Sequence, residues 1–138
     1  MPGTLLLQGQ HFPVTRATLT RGDRCWTLDI ETEPCQIDGE TWQPYLYHHG
    51  LRLNVGDPHE LQGQALSWHT SSDDDHPHPD MGALYVFSHH ETREVRLSFG
   101  QVLPEGIELV WEGVADVLHH PDQGRDVLFV CACLAVIE

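Results

Sequence analysis

Lysine is absent from this sequence of 138 residues, and only seven arginines oppose its 21 acidic residues. The formal net charge is therefore −14 at pH 7 with histidine counted as neutral. A surface of this sign repels nucleic-acid phosphates and the headgroups of anionic membranes. We therefore expect neither nucleic acid nor a membrane among the partners. A basic protein is the partner that the charge favours.

The sequence also lacks an apolar run long enough to cross a bilayer as a helix, which needs about 20 residues. Its first ten residues, MPGTLLLQGQ, have neither the basic segment nor the long apolar segment of a signal peptide. We expect a cytoplasmic protein in which the thiols stay reduced. The four cysteines are Cys25, Cys35, Cys131 and Cys133.

Motifs of common catalytic centres are missing: there is no G-x-S-x-G, P-loop, H-E-x-x-H or C-x-x-C pattern. Asp116 could work with His119 or His120 as the acid and base of a triad. Ser67 and Ser88 are the candidate nucleophiles for it. Nothing in the spacing brings these residues together in space. The sequence therefore favours a protein without catalysis.

Strand signals run through the chain, whereas no stretch combines a helical period with capping residues. Trp26, Leu28 and Ile30, for example, alternate with polar residues. Turn residues separate about eight or nine such segments, and Asp38-Gly39 is typical of a two-residue hairpin turn. The sequence predicts a single all-β domain over residues 1–138, either an antiparallel β-sandwich or a flattened barrel.

A long C-terminal hairpin is predicted at the centre of this core, with arms Ile107–Val117 and Val127–Ile137. The second arm reads VLFVCACLAVI and carries no charge, Gly or Pro. Such a run is typical of a strand covered on both faces. Gly113 interrupts the first arm and predicts a β-bulge there.

Histidine is abundant, with three adjacent pairs at 48–49, 89–90 and 119–120. Each pair is predicted to lie in a turn. The acidic, His-rich segment 70–80, TSSDDDHPHPD, is predicted to be a mobile surface loop. In its His-Pro-His-Pro run, His76 and His78 present two imidazoles and Asp80 adds an oxygen, a donor set that suits zinc. A small-ligand or metal-binding domain that uses this loop is the alternative function, and no other cofactor is expected.

The aromatic residues divide into two predicted groups. Three tryptophans alternate with polar residues and are expected in the core: Trp26, Trp68 and Trp111. Trp42 lies next to Pro44 and is the aromatic side chain expected to be most exposed. Trp42, Tyr45 and Tyr47 are therefore the candidate anchors for a protein partner.

The C-terminal part of the chain resembles the ending of small uncharacterised bacterial all-β proteins. The resemblance lies in the segment Val110–Val117, VWEGVADV, which is followed by a polar loop and a terminal apolar strand. Some of those proteins are similar to the immunity partners of secreted toxins. The resemblance covers about a quarter of the chain. It implies a partner-binding protein without catalysis, and it transfers no functional residue.

Overall fold

The computed structural model describes residues 3–23, 25–53, 55–70, 82–86, 88–115 and 127–138. The strands in these ranges are β1 (Gly3–Leu7), β2 (Gln10–Arg21), β3 (Trp26–Thr32), β4 (Cys35–Ile37), β5 (Glu40–Trp42), β6 (Tyr45–Leu51), β7 (Ala65–Thr70), β8 (Gly82–Val86), β9 (Ser88–Leu103), β10 (Gly106–Ala115) and β11 (Val127–Ile137). The single helical segment in the same ranges is a 3₁₀ turn at Pro58–Leu61. The predicted all-β fold is confirmed.

Nine strands form one large curled sheet in the order β10-β11-β1-β2-β3-β6-β8-β9-β7. Strand β9 also pairs with β10, so the two sides of the curl meet. All pairings in this sheet are antiparallel except a short parallel contact between β11 and β2. Strands β4 and β5 form a separate hairpin around Asp38-Gly39, where φ is positive at both residues. That hairpin was predicted, because Gly accepts this conformation without steric cost.

One hydrophobic core fills the inside of the curl. The inward side chains of each strand alternate with outward ones, as the two-residue period of a strand requires. Trp26, Leu28 and Ile30 are buried as predicted. Trp68 and Trp111 are buried too, which confirms their predicted place in the core.

The C-terminal hairpin pairs as predicted, with Ile107 opposite Ala135 and Ala115 opposite Val127. The prediction that β11 is covered on both faces is wrong. Its odd-numbered residues from Val127 to Ala135 are buried, whereas Leu128 is 59% and Val136 47% exposed on the other face. The sheet encloses its core by curling, so each strand has only one inward face.

Two of the three predicted histidine turns are also wrong. His48 and His49 lie within β6, and His89 and His90 lie within β9. The third pair, at 119–120, lies outside the described residues. So does the expected loop over 70–80, apart from Thr70, which ends β7. The pairing is irregular opposite Gly113, but the extra residue of that bulge is on β9, where Glu94 has a positive φ.

Candidate protein-binding surface

The outer face of β3, β6 and β8 holds a group of aromatic and acidic side chains. Leu46 and His48 of β6 point inward and are fully buried, so the alternate residues of that strand point outward. Register places Tyr45 between Glu31 of β3 and Tyr85 of β8, and Tyr47 opposite Asp29. We name this surface the tyrosine strip. Its members are Asp29, Glu31, Tyr45, Tyr47, His49 and Tyr85.

Three rings follow one another along β6. The Tyr45 and Tyr47 rings are stacked, with centroids 5.1 Å apart and planes inclined by 25°. The Tyr47 and His49 centroids are 4.7 Å apart with planes inclined by 37°. Residues two apart on a strand lie on one face, so the sequence Tyr-Leu-Tyr-His-His aligns these rings directly. The result is a row of stacked, partly exposed aromatic rings on a strand that is paired on both sides.

Asp29 joins this row of rings to the neighbouring strand. Its Oδ1 accepts a hydrogen bond from the Tyr45 hydroxyl. The same oxygen lies 3.1 Å from Nε2 of His49. Asp29 stands opposite Tyr47, so Tyr45 and His49 are its two diagonal neighbours across the strands. A carboxylate is therefore held between the rings.

Burial raises the pKa of Tyr45 well above its usual range, and the hydrogen bond to Asp29 and the charges of Asp29 and Glu31 add to the effect. Burial also raises the pKa of Tyr47. Both phenols therefore remain protonated at neutral pH. Each keeps an O–H donor and an uncharged ring beside acidic groups.

In an alkaline titration, we expect Tyr45 to ionise above the ordinary tyrosine pKa of about 10. The protonated phenol is favoured in the folded state, so its contribution to stability is present below pH 10 and is lost as pH rises through the folded pKa. Asp29→Asn should lower the pKa of Tyr45 but leave it above the ordinary value, because burial remains. Tyrosinate absorbance measures this, and Tyr45→Phe identifies the step. A Tyr45 pKa that does not move in Asp29→Asn would contradict the assignment.

Trp42, the third predicted anchor, is not part of the tyrosine strip. It lies on β5 in the small second sheet and is partly buried against the core. The prediction that Trp42 is the most exposed aromatic side chain is therefore wrong. Tyr85 is exposed, at 38%, whereas Trp42 is not. The structure brings Tyr45 and Tyr47 together on β6 and places Trp42 in the small second sheet.

Asp29 and His49 were missed as site residues. The alternation of β3 had already indicated that Asp29 points outward, but its neighbours across the sheet depend on register. His49 was hidden by the assignment of residues 48–50 to a turn. Continuing the two-residue period from Tyr45 through Tyr47 to His49 would have found it.

The predicted metal ligands His76, His78 and Asp80 all lie outside the described residues. The acid and base residues considered for a catalytic triad also lie outside the described residues, namely Asp116, His119 and His120. Ser67, a candidate nucleophile for that triad, lies on β7. Within the described ranges, no group of three or more His, Cys, Asp or Glu side chains is placed to hold a metal ion. The zinc site remains a prediction from the sequence.

The buried histidine and the two buried cysteines, whose side chains can take part in catalysis, have structural roles here. His48 is fully buried, its Nδ1 accepts from the Gly50 N–H at 3.0 Å, and its ring meets Trp68 edge to face. Cys131 and Cys133 are buried side by side on the inner face of β11. The hydrogen bond to Cys133 and burial both raise the pKa of Cys131, which keeps this thiol protonated and unreactive.

No protein-family model, curated protein or solved structure matches this chain. In the part of the chain that the structure describes, no helix is both long enough and apolar enough to span a membrane. A function must therefore be inferred from the chemistry of the chain's own surface.

Proposed function

We propose that this protein acts by binding another protein whose contacting face is basic, and that the tyrosine strip receives it. The observation that carries the proposal is the row of stacked rings beside Asp29. An Arg or Lys side chain of the partner would approach the Asp29 carboxylate and pack its aliphatic part against the row of rings, because Tyr45 and His49 cover the two faces of Tyr47. The carboxylate supplies charge complementarity, and the rings supply apolar contact area.

The strip has the physical properties of an interface centre. Tyrosine is enriched among the residues that dominate binding energy, because it offers a large area at low entropic cost. The rings lie on paired strands rather than on a loop, so little ordering is needed on binding. The chain's net charge of −14 would steer a basic partner toward it over longer distances.

The proposal includes a reducing, cytoplasmic environment, and the four cysteines are free thiols. A bacterial toxin with a basic face is one class of partner that fits this chemistry. That class also agrees with the resemblance of the C-terminal segment to small bacterial all-β proteins, some of which are similar to the immunity partners of toxins. Such a partner would be neutralised by occupation of its surface, without catalysis.

The partner should be isolated with this protein as bait and its binding kinetics measured at two salt concentrations. Its association rate should fall as salt rises, because the attraction is screened over about 8 Å at physiological ionic strength. Dissociation depends on short-range packing and should change less. An association rate that is indifferent to salt would contradict the electrostatic part of the proposal.

Two substitutions locate the contact. Tyr47→Ala should weaken binding about 30-fold through faster dissociation, since an anchor ring contributes about 2 kcal/mol. Asp29→Asn should weaken it about tenfold, since a charge contact of about 1.4 kcal/mol is lost. Glu105→Gln removes the same charge from an exposed turn between β9 and β10 and is the matched control. Equal losses in Asp29→Asn and Glu105→Gln would show that only net charge matters and that the strip is not the site.

A further inference from the structure

The tyrosine strip contains one side chain that can become a cation. His49 stands at the end of the row of rings, and its Nε2 lies 3.1 Å from Oδ1 of Asp29. The side chain of His49 is 37% exposed and that of Asp29 is 27% exposed, so solvent protons reach both. An imidazole ordinarily gains its charge as the pH falls from about 8 to about 5. The charge that the strip presents at Asp29 therefore depends on pH.

The contact between His49 and Asp29 already exists when the ring is neutral. An ionised carboxylate only accepts hydrogen bonds, so the hydrogen of the neutral ring belongs on Nε2, and Nδ1 carries none. Protonation adds a hydrogen at Nδ1 and a positive charge to the ring, while the hydrogen bond from Nε2 stays in place and strengthens. The two side chains together then change from one negative charge to none. Acid cancels the charge of Asp29 without any rearrangement of the strands.

The surroundings of His49 single out Asp29 as its charged neighbour in the strip. Five titratable side chains of β3, β6 and β8 share the strip with His49, and all of them are acids: Asp29, Glu31, Tyr45, Tyr47 and Tyr85. A phenol is ordinarily uncharged below about pH 10, which leaves the two carboxylates. Glu31 stands opposite Tyr45, at the far end of the row of rings. The Cys25 thiol, just before β3, donates to the backbone carbonyl of His49 at 3.5 Å and does not involve its ring.

We propose that His49 competes with the basic partner for Asp29, so that the tyrosine strip holds its partner near neutral pH and releases it in acid. This step rests on the proposed function. The Arg or Lys side chain of the partner approaches a carboxylate that protonated His49 already neutralises, and the two cations repel each other at close range. Arg and Lys keep their charge throughout this pH range, so the change lies in the strip.

A second pair in the chain offers a matched control outside the strip. On the 3₁₀ turn, Nδ1 of His59 lies 3.0 Å from Oδ1 of Asp57, which repeats the pairing of an imidazole with a carboxylate. All eleven histidines gain charge as the pH falls, so long-range attraction of a basic ligand weakens in every variant. His49→Gln and His59→Gln each remove one histidine and share this general effect. Glutamine keeps an N–H donor for the carboxylate but does not titrate.

Fluorescence anisotropy with a labelled hexa-arginine peptide tests the proposal at about pH 8 and about pH 5.5, on either side of the ordinary imidazole titration. The affinity ratio between the two pH values is compared within each variant, and circular dichroism checks the fold at both. Wild type and His59→Gln should lose affinity by the same factor. His49→Gln should lose about tenfold less, because Asp29 keeps the charge whose removal weakens binding about tenfold. Equal ratios in His49→Gln and His59→Gln would overturn the proposal.

Nuclear magnetic resonance gives a readout that needs no ligand. The Tyr47 ring lies 4.7 Å from that of His49, so its signals should move as the imidazole gains charge. Tyr47→Phe identifies these signals, and His49→Gln should remove most of the movement. Tyr47 signals that ignore the pH in this range would overturn the proposal whatever the peptide does. A peptide that binds at neither pH would overturn the proposed function and the acid release with it. A peptide that binds with equal ratios in both glutamine variants would overturn the acid release alone.

Discussion

Replacing Phe129 with alanine should lower the free energy of unfolding by about 3–5 kcal/mol, the usual cost of removing a buried aromatic ring. Phe129 is fully buried on the inner face of β11. Its ring lies over Gly113 of β10, where an added Cβ would be only 2.9 Å from the ring. The ring fills the space that Gly113 leaves, and alanine would leave a cavity between the two arms of the hairpin.

Urea denaturation of dilute protein measures this effect, and Leu128→Ala is the matched control. Leu128 is the adjacent residue on the same strand, but 59% of it is exposed. Its truncation should change the free energy of unfolding by less than about 0.5 kcal/mol. Equal effects at the two positions would show that β11 does not have one buried and one open face.

Gly106→Ala should be comparably severe, at about 4 kcal/mol, because it combines backbone strain with a clash that cannot relax. Gly106 has φ of +156°, and an added Cβ would lie 2.1 Å from the Ala135 carbonyl oxygen. That oxygen belongs to the backbone of β11, so it can move only if the pairing between β10 and β11 is disturbed.

Gly39→Ala separates the two contributions. Gly39 also has a positive φ, +81°, but no atom lies within 4 Å of its added Cβ. Only the conformational cost remains there, about 1–2 kcal/mol. Thermal and urea unfolding of both variants measure the difference. If Gly106→Ala cost no more than Gly39→Ala, the close approach of this turn to β11 would be refuted.

The fold was predictable where polar and apolar residues alternate and where Gly fixes a turn. Strand β3 and the Asp38-Gly39 hairpin are such places, because local chemistry alone determines them. Strand β11 was misread because both of its faces are apolar, and sequence composition does not say which face meets the core. The answer depends on the curl of the sheet, which only distant pairings create.

Strand β9 shows the second limit. Its sixteen residues include His89-His90-Glu91, which was read as a turn. The segment is extended because β8, β7 and β10 supply its backbone partners, a tertiary effect that overrides weak local propensity. Two bulges, opposite Glu108 and Gly113, keep this long strand in pairing around the curl. None of these pairings follows from spacing along the chain.

Part of the candidate site was predictable from the sequence, and the rest depended on strand pairing. Tyr45 and Tyr47 were found from their residue type and shared face. The addition of Asp29 required the register of β3 against β6, which fixes the neighbours across the sheet. Trp42 was misplaced because its neighbour Pro44 was taken as a sign of exposure, whereas the small β4–β5 hairpin folds the indole against the core.

The pairing of β1 with β11 has a kinetic consequence. Thr4 stands opposite Ala132, so a pairing between adjacent strands of the sheet joins segments that are separated by most of the sequence. Closing so long a loop is entropically costly and slows folding. While the chain is being synthesised, β1 and β2 are complete long before β11 exists. Until β11 arrives, the Leu5–Leu7 edge of β1 presents unpaired backbone groups and aliphatic side chains, an open template for pairing with another unfinished chain.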